Sequence, residues 1–216
     1  MKKIIKSFLS KKSLNFIRNF KFNFIGFILT FHLRFIKKSF LFIPHHHLKM
    51  MVILIDLIKV LDKLKIKYFI MSGTLLGAIR QNSFAGKPGD IDLAINISDL
   101  DKLIIYLNEN KKKLSITQGP IVKDGTIWMR IKKETIDIVL FHNSRLKLVG
   151  KCFCYFKKKK IFLKLPKNSF IKRKKSNLYD IPIYVPKDYI YVIKNLYGNQ
   201  WKKPNKKQFM WKNNLY

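Results

Sequence analysis

Cysteine is almost absent from this chain: it occurs twice, at Cys152 and Cys154, one residue apart. A pair so close cannot cross-link distant parts of a fold, and two thiols are too few for a structural zinc site. A disulfide framework is excluded, which fits a reducing compartment. Acidic residues are scarce as well, 12 against 45 Lys and Arg, for a formal net charge of +33. None precedes Asp56, and ten of the twelve fall between Asp56 and Asp137. Long apolar runs are also missing. The uncharged stretch Phe22 to His32 is too short for a membrane-spanning helix, which needs roughly 20 apolar residues.

What remains is enough for one domain with a core: 216 residues, 48% of them hydrophobic and 14% aromatic, a composition far from that of disordered chains. The basic excess attracts phosphate-rich partners, although joint enrichment in Lys, Ile, Asn and Phe is also what codon bias in an A/T-rich genome produces. Residues 1–47 read as a basic amphipathic extension and linker. Phe side chains would anchor this segment on an anionic membrane surface and Lys would steer it there. A secretory signal shares this outline but lacks a small-residue cleavage site here. The expected location is cytoplasmic and peripheral to a membrane, or the Golgi lumen if the segment is a targeting signal. Pro44 and the triplet His45 to His47 mark the boundary and read as linker rather than metal site. Residues 48–216 form the expected domain.

Within it, Met51, Leu54, Ile55, Ile58, Leu61 and Leu64 recur at helical spacing. Tyr68 to Met71 reads as a buried strand, broken by Ser72-Gly73-Thr74. Thr74 to Arg80 reads as a short helix capped by Ser72 or Thr74. A loop holding Gly86, Pro88 and Gly89 follows, then a strand over Ile91 to Ile97 and a helix capped by Ser98. Ile127 to Ile131 and Thr135 to Phe141 read as a hairpin around Lys132-Lys133-Glu134. Tyr155 to Leu165 reads as a second, turning at Lys157 to Lys160. Ile181 to Val185 is the last expected strand, and Pro186 opens a helix ending near Gly198. The class is α/β (α+β), a small mixed sheet flanked by helices.

Asp90 and Asp92 carry the chemistry. At positions i and i+2 of a strand they project to one side, with Ile91 and Leu93 facing the core. Two carboxylates so placed repel each other unless a cation sits near, and hard divalent ions take oxygen ligands. Upstream, Gly73 and a helix N-terminus form an anion-binding turn. Asp137, in a strand among Ile136, Ile138 and Leu140, is costly to bury alone and supplies a third carboxylate.

Met71-Ser72-Gly73-Thr74-Leu75-Leu76-Gly77-Ala78-Ile79-Arg80, then Gly89-Asp90-Ile91-Asp92-Leu93, resembles the core motif of the LicD/fukutin family, within the nucleotidyltransferase-fold superfamily. Thr135 to Phe141 is similar to the family's third-carboxylate strand. Val185-Pro186, followed by Leu196-Tyr197-Gly198-Asn199-Gln200-Trp201-Lys202-Lys203-Pro204, is similar to its C-terminal signature. The resemblance implies a transferase that moves a phosphorylated small group, such as phosphocholine or ribitol phosphate, from a CDP-linked donor to a hydroxyl of a glycan or glycoconjugate. It implies Mg²⁺ or Mn²⁺ on Asp90 and Asp92, with Asp137 completing the site or accepting the hydroxyl proton. Ser72, Gly73 and Thr74 would cradle the diphosphate and Arg80 would neutralise phosphate charge. Tyr197 and Trp201 would shape a substrate pocket or pack the last helix. Many members place an aromatic residue and a further acid before the carboxylates, where this chain has Lys87-Pro88-Gly89.

Two other readings stay open at this point. One is a nucleotidyltransferase acting on nucleic acid, favoured by the charge and disfavoured by the Tyr197 to Pro204 tail. The other is a catalytically degenerate member that binds a membrane surface or nucleic acid.

Overall fold

The computed structural model describes residues 43–204 apart from 87, 144–150, 157–160, 167 and 180, and leaves out the side chains of 143, 151–156 and 161–162. The sequence expectations for 1–42 and for the Lys157 to Lys160 turn lie outside the described residues. The chain falls into two units, Met1–Leu48 and Lys49–Tyr216. The site belongs to the second.

Helix α1 (His45–Lys63) is followed by strand β1 (Tyr68–Ile70), helix α2 (Ser72–Gln81) and strand β2 (Asp90–Asn96). A 3-10 turn at Ile97–Asp99 leads into α3 (Leu100–Glu109). Three strands come next: β3 (Ile116–Lys123), β4 (Thr126–Ile131) and β5 (Glu134–Asn143). The hairpin β6 (Lys151–Phe156) and β7 (Ile161–Pro166) precedes β8 (Lys174–Leu178), β9 (Ile181–Val185) and α4 (Tyr189–Tyr197).

The main sheet runs β1-β2-β5-β4-β3, and β6 and β7 extend it from the end of β5. β2 and β5 are parallel, while the other neighbours are antiparallel. The sheet is therefore mixed, as the alternation of elements predicts. One face carries Ile91, Leu93, Ile136, Ile138, Ile127 and Met129, all fully buried. Lys49 of α1 pairs with Glu134, which shares that face. The opposite face is divided. At one end Phe69 and Phe141 pack with Phe170, whose ring stacks on Phe69 at 4.5 Å. At the other end it is polar, and there the candidate site lies.

β8 and β9 form a separate two-stranded sheet that packs beside β1. Arg173 fixes the junction. Its guanidinium stacks 3.7 Å from the Tyr184 ring centre, and Nη1 donates to the Tyr68 carbonyl at 3.2 Å. Such stacking is worth on the order of 1 kcal/mol where partly desolvated.

Several boundaries differ from the sequence reading. His45 to His47 form the first turn of α1 rather than a linker, because Pro44 pre-sets the chain and its carbonyl accepts the Leu48 N–H at 3.1 Å. Ser98 does not cap the following helix. The Asn96 side chain accepts the Ser98 N–H instead, at 3.1 Å. The last helix starts at Tyr189, because the 186–189 segment turns, with the Tyr189 N–H on the Pro186 carbonyl. β3 and β8 have no counterpart in the sequence reading. Both are edge strands with mostly exposed residues, and β3 carries Gly119 and Pro120, so neither shows the alternation expected of a half-buried strand.

Candidate active site

β2 and β5 place the three carboxylates by register. Asp92 lies directly opposite Asp137 in the parallel ladder, and Asp90 lies opposite Thr135. Paired residues share a face, so all three acids emerge on one side of the sheet. One oxygen from each of Asp90, Asp92 and Asp137 lies within 4.8 Å of the others. Asp92 is 7% exposed, and Oδ1 of Asp137 is buried.

The turn between β1 and α2 grips Asp92 at three points. The Met71 N–H donates to the Asp92 carbonyl at 3.0 Å. The Asp92 N–H donates to Thr74 Oγ1 at 3.0 Å, and the Gly73 N–H donates to Asp92 Oδ2 at 3.1 Å. Ser72, buried at the start of this turn, takes a left-handed backbone with φ of 44°. That region is costly for a residue with a side chain, and it persists only where the surroundings over-determine it. Neither Ser72 nor Thr74 caps α2. Met71 stands in the cap position without a side-chain bond, and the Thr74 hydroxyl is spent on β2. In the turn expected to cradle an anion, the Gly73 N–H is given to the Asp92 carboxyl group.

The electrostatics follow from this arrangement. Burial pushes the Asp92 carboxyl well above the usual carboxylate range. The neighbouring Asp90 and Asp137 push it further, while the backbone N–H groups of Thr74 and Gly73 oppose the shift. Three hard oxygen donors converging within 4.8 Å of one another, one of them buried, fit a divalent cation of the Mg²⁺ or Mn²⁺ kind.

The remaining candidates gather on one flank. Tyr197, at the end of α4, is buried, and its hydroxyl lies 3.9 Å from where a Cβ on Gly73 would stand. Burial, then Asp92 and Asp90, raise its phenol well above the ordinary tyrosine value, and Arg80 opposes this. Arg80 donates from Nη1 to the Trp201 carbonyl at 3.4 Å, and the Trp201 side chain is buried. The structure thus brings Ser72, Gly73, Thr74, Arg80, Tyr197 and Trp201 to the α2 side of the triad.

One supporting residue has a role that its place in the motif did not reveal. A Cβ on Gly77 would stand 2.3 Å from the Ser83 carbonyl oxygen and 2.5 Å from the Ala85 nitrogen. Only glycine lets the loop leaving α2 fold back over the helix on its way to Asp90. A glycine amid Leu75, Leu76 and Ala78, where alanine is the better helix former, is the signal that marks it.

Residues 65–177 match the model of the LicD/FKTN/FKRP nucleotidyltransferase domain. An uncharacterized protein of Rickettsia typhi is 28% identical over 148 residues, which are 68% of this chain and 45% of that protein. The chain thus spans less than half the length of this relative. Among solved structures, the lincomycin-bound lincosamide antibiotic adenylyltransferase LnuA overlaps 64% of this chain and 80% of its own, with 12% identity and a TM-score of 0.45. ANT(2")-Ia in complex with adenylyl-2"-tobramycin overlaps 66% and 75%, with 14% identity and a TM-score of 0.44. With more than half of its length matched by the family model, the chain belongs to the LicD/FKTN/FKRP family and carries that family's nucleotidyltransferase domain.

Proposed function

We propose that residues 48–216 form a metal-dependent transferase, which moves a phosphorylated small group from a CDP-linked donor to a hydroxyl of a glycan or glycoconjugate. Phosphocholine and alditol phosphates such as ribitol phosphate are the groups this reading covers. The observation that carries it is the convergence of Asp90, Asp92 and Asp137 on one sheet face, with Asp92 gripped by the Met71 to Thr74 turn. Family membership supports phosphorus transfer as the class of reaction.

Asp90, Asp92 and Asp137 would hold Mg²⁺ or Mn²⁺, which neutralises charge on the transferring phosphoryl group. Arg80 and the α2 turn stand where donor phosphates would lie, and a guanidinium suits phosphate oxygens. Ser72, Gly73 and Thr74 act mainly by fixing Asp92. Asp137, on the flank away from that turn, accepts the proton of the attacking hydroxyl. The hydroxyl oxygen bonds to phosphorus, the bond from that phosphorus to the nucleotide oxygen breaks, and CMP leaves. Tyr197 and Trp201 wall the site on the α2 side and exclude water.

No helix among the described residues is long and apolar enough to cross a membrane. The basic segment 1–47 is proposed to hold the protein against an anionic membrane surface. Co-sedimentation with phosphatidylglycerol vesicles, with and without that segment, tests this, and equal binding by both forms would refute it.

The activity is tested by incubating the protein with CDP-choline or CDP-ribitol, a glycan extract and Mg²⁺ or Mn²⁺, and measuring CMP release with label transfer. Transfer requiring all three carboxylates is expected. Transfer of a nucleotide from NTP to RNA alone would overturn the assignment.

A further inference from the structure

The polar face of the sheet does not end at the carboxylates. In the β4–β5 ladder Trp128 lies directly opposite Asp137, and in the β3–β4 ladder Ile121 lies opposite Trp128. One row across four strands therefore reads Asp92, Asp137, Trp128, Ile121. The neighbouring row reads Asp90, Thr135, Arg130, Gln118. Paired residues point to the same side of a sheet, so both rows share the face of the triad.

The two rows differ in chemistry. Trp128 is half-buried, and Ile121 beside it is 47% exposed. Arg130 and Gln118 are exposed. The Arg130 guanidinium sits 5.7 Å from the Trp128 ring centre. An apolar strip is thus edged by a strip of hydrogen-bonding groups. β3 departs from regular pairing at this place, between Gln118 and Ile121. Gly119 there has φ of 83°, and a Cβ on it would stand 2.7 Å from the Trp128 carbonyl oxygen. Irregularities of this kind re-aim side chains and recur beside active sites.

We infer that Trp128 and Ile121, with Arg130 and Gln118 along their edge, are the platform on which the sugar ring of the acceptor lies. This rests on the transferase reading above. Donor phosphates belong to the α2 flank, and Trp128 stands on the other side of Asp137. In phosphoryl transfer the attacking and leaving oxygens are roughly in line, so the hydroxyl approaches from the side opposite the nucleotide. A ring lying on Trp128 brings its hydroxyl to Asp137 from that side. The negative potential of an indole face draws the C–H groups of a sugar ring. Arg130 and Gln118 meet its hydroxyls.

Two measurements on the full chain test the platform. In the transfer assay, Trp128→Leu keeps apolar bulk in the strand, and it should raise the acceptor KM about tenfold, as for loss of one stacking contact. The donor KM should stay where it was, and Trp128→Phe should recover most of the loss. An equal rise in the donor KM, or no change in either, overturns the inference. The second measurement needs no turnover. The chain holds three tryptophans, so the Trp128 indole N–H signal is identified by its loss in Trp128→Phe. It should shift with millimolar N-acetylglucosamine or methyl galactoside and stay fixed with CMP. A shift with CMP, or with none of the three, overturns the platform. Absence of transfer from any CDP-linked donor would defeat the proposed function and leave this spectrum to decide the platform by itself.

Discussion

Asp92 and Asp137 face each other across the parallel β2–β5 ladder, one carboxylate directly opposite the other with Asp90 beside them. Repulsion within this cluster is relieved by a divalent cation or by loss of a charge. Asp92→Asn should therefore hold or raise the melting temperature in chelator, by a few degrees at about 2–4 °C per kcal/mol for a chain of this size. The same change should abolish the upward shift that Mn²⁺ gives the wild type, a shift of about 2.7 kcal/mol at a hundred times Kd. Transfer activity should fall roughly a hundredfold or more. Differential scanning fluorimetry with EDTA and with Mn²⁺ reads the first two. A drop in melting temperature in chelator would contradict the electrostatic account.

The pH dependence has a definite sign. Burial, and then the neighbouring Asp90 and Asp137, raise the folded-state pKa of the Asp92 carboxyl well above that of an ordinary aspartate. Between the unfolded and folded pKa values the native state binds the extra proton, so stability falls as pH rises. The cation-free protein should lose stability as pH climbs above about 4, through the titration of this cluster, and level off above it. Saturating Mn²⁺ should remove that loss at neutral pH. Urea midpoints across pH, with and without Mn²⁺, check it.

Two glycines four residues apart in one helix, Gly73 and Gly77, should respond differently. Alanine at Gly77 would drive a Cβ into backbone at 2.3 Å, and overpacking of this kind costs about 1–3 kcal/mol. That exceeds the gain of roughly 0.5–1 kcal/mol from replacing glycine inside a helix. At Gly73 a Cβ meets Asp92 Oδ2 at 3.7 Å and the Tyr197 hydroxyl at 3.9 Å, ordinary contact distances. Gly73→Ala should fold with near-normal stability yet bind cation and substrate more weakly, because the methyl occupies the space facing the carboxylate. Chemical denaturation and a Mn²⁺ titration on both variants separate the outcomes.

Thr74 should prove a positioning residue. Its Oγ1 accepts the buried Asp92 N–H, and stranding such a donor costs about 1–3 kcal/mol. Thr74→Val is expected to lose that much stability, and Thr74→Ser to retain most of it. If Val is tolerated without change in the denaturation midpoint, the hydroxyl does not hold β2.

Much of this was legible in the residues. Asp90-Ile91-Asp92 within a buried strand announced two acids on one face, and Asp137 among Ile136 and Ile138 announced a third. Their meeting was not legible, because it depends on the parallel register between β2 and β5, set by strands far apart in the chain. The Ser72-Gly73-Thr74 break was visible, but not that the Gly73 N–H would donate to Asp92 Oδ2 and Thr74 Oγ1 would accept from the Asp92 N–H. Local sequence cannot tell which partner a turn donor chooses. Trp128 and Arg130 read only as a strand on a hairpin. What places them beside the acids is pairing across β4 and β5.

The tip of the β8–β9 hairpin touches the turn that ends α2, where the Tyr179 N–H donates to the Asn82 carbonyl at 3.0 Å and the Tyr179 ring approaches Phe84. These partners are widely separated in sequence. During synthesis the helix that begins at the Asp92 grip would emerge long before its far end could be secured. The hairpin thus latches the far end of the helix whose first turn holds Asp92, so that contacts distant in sequence tie the acidic cluster to β8 and β9.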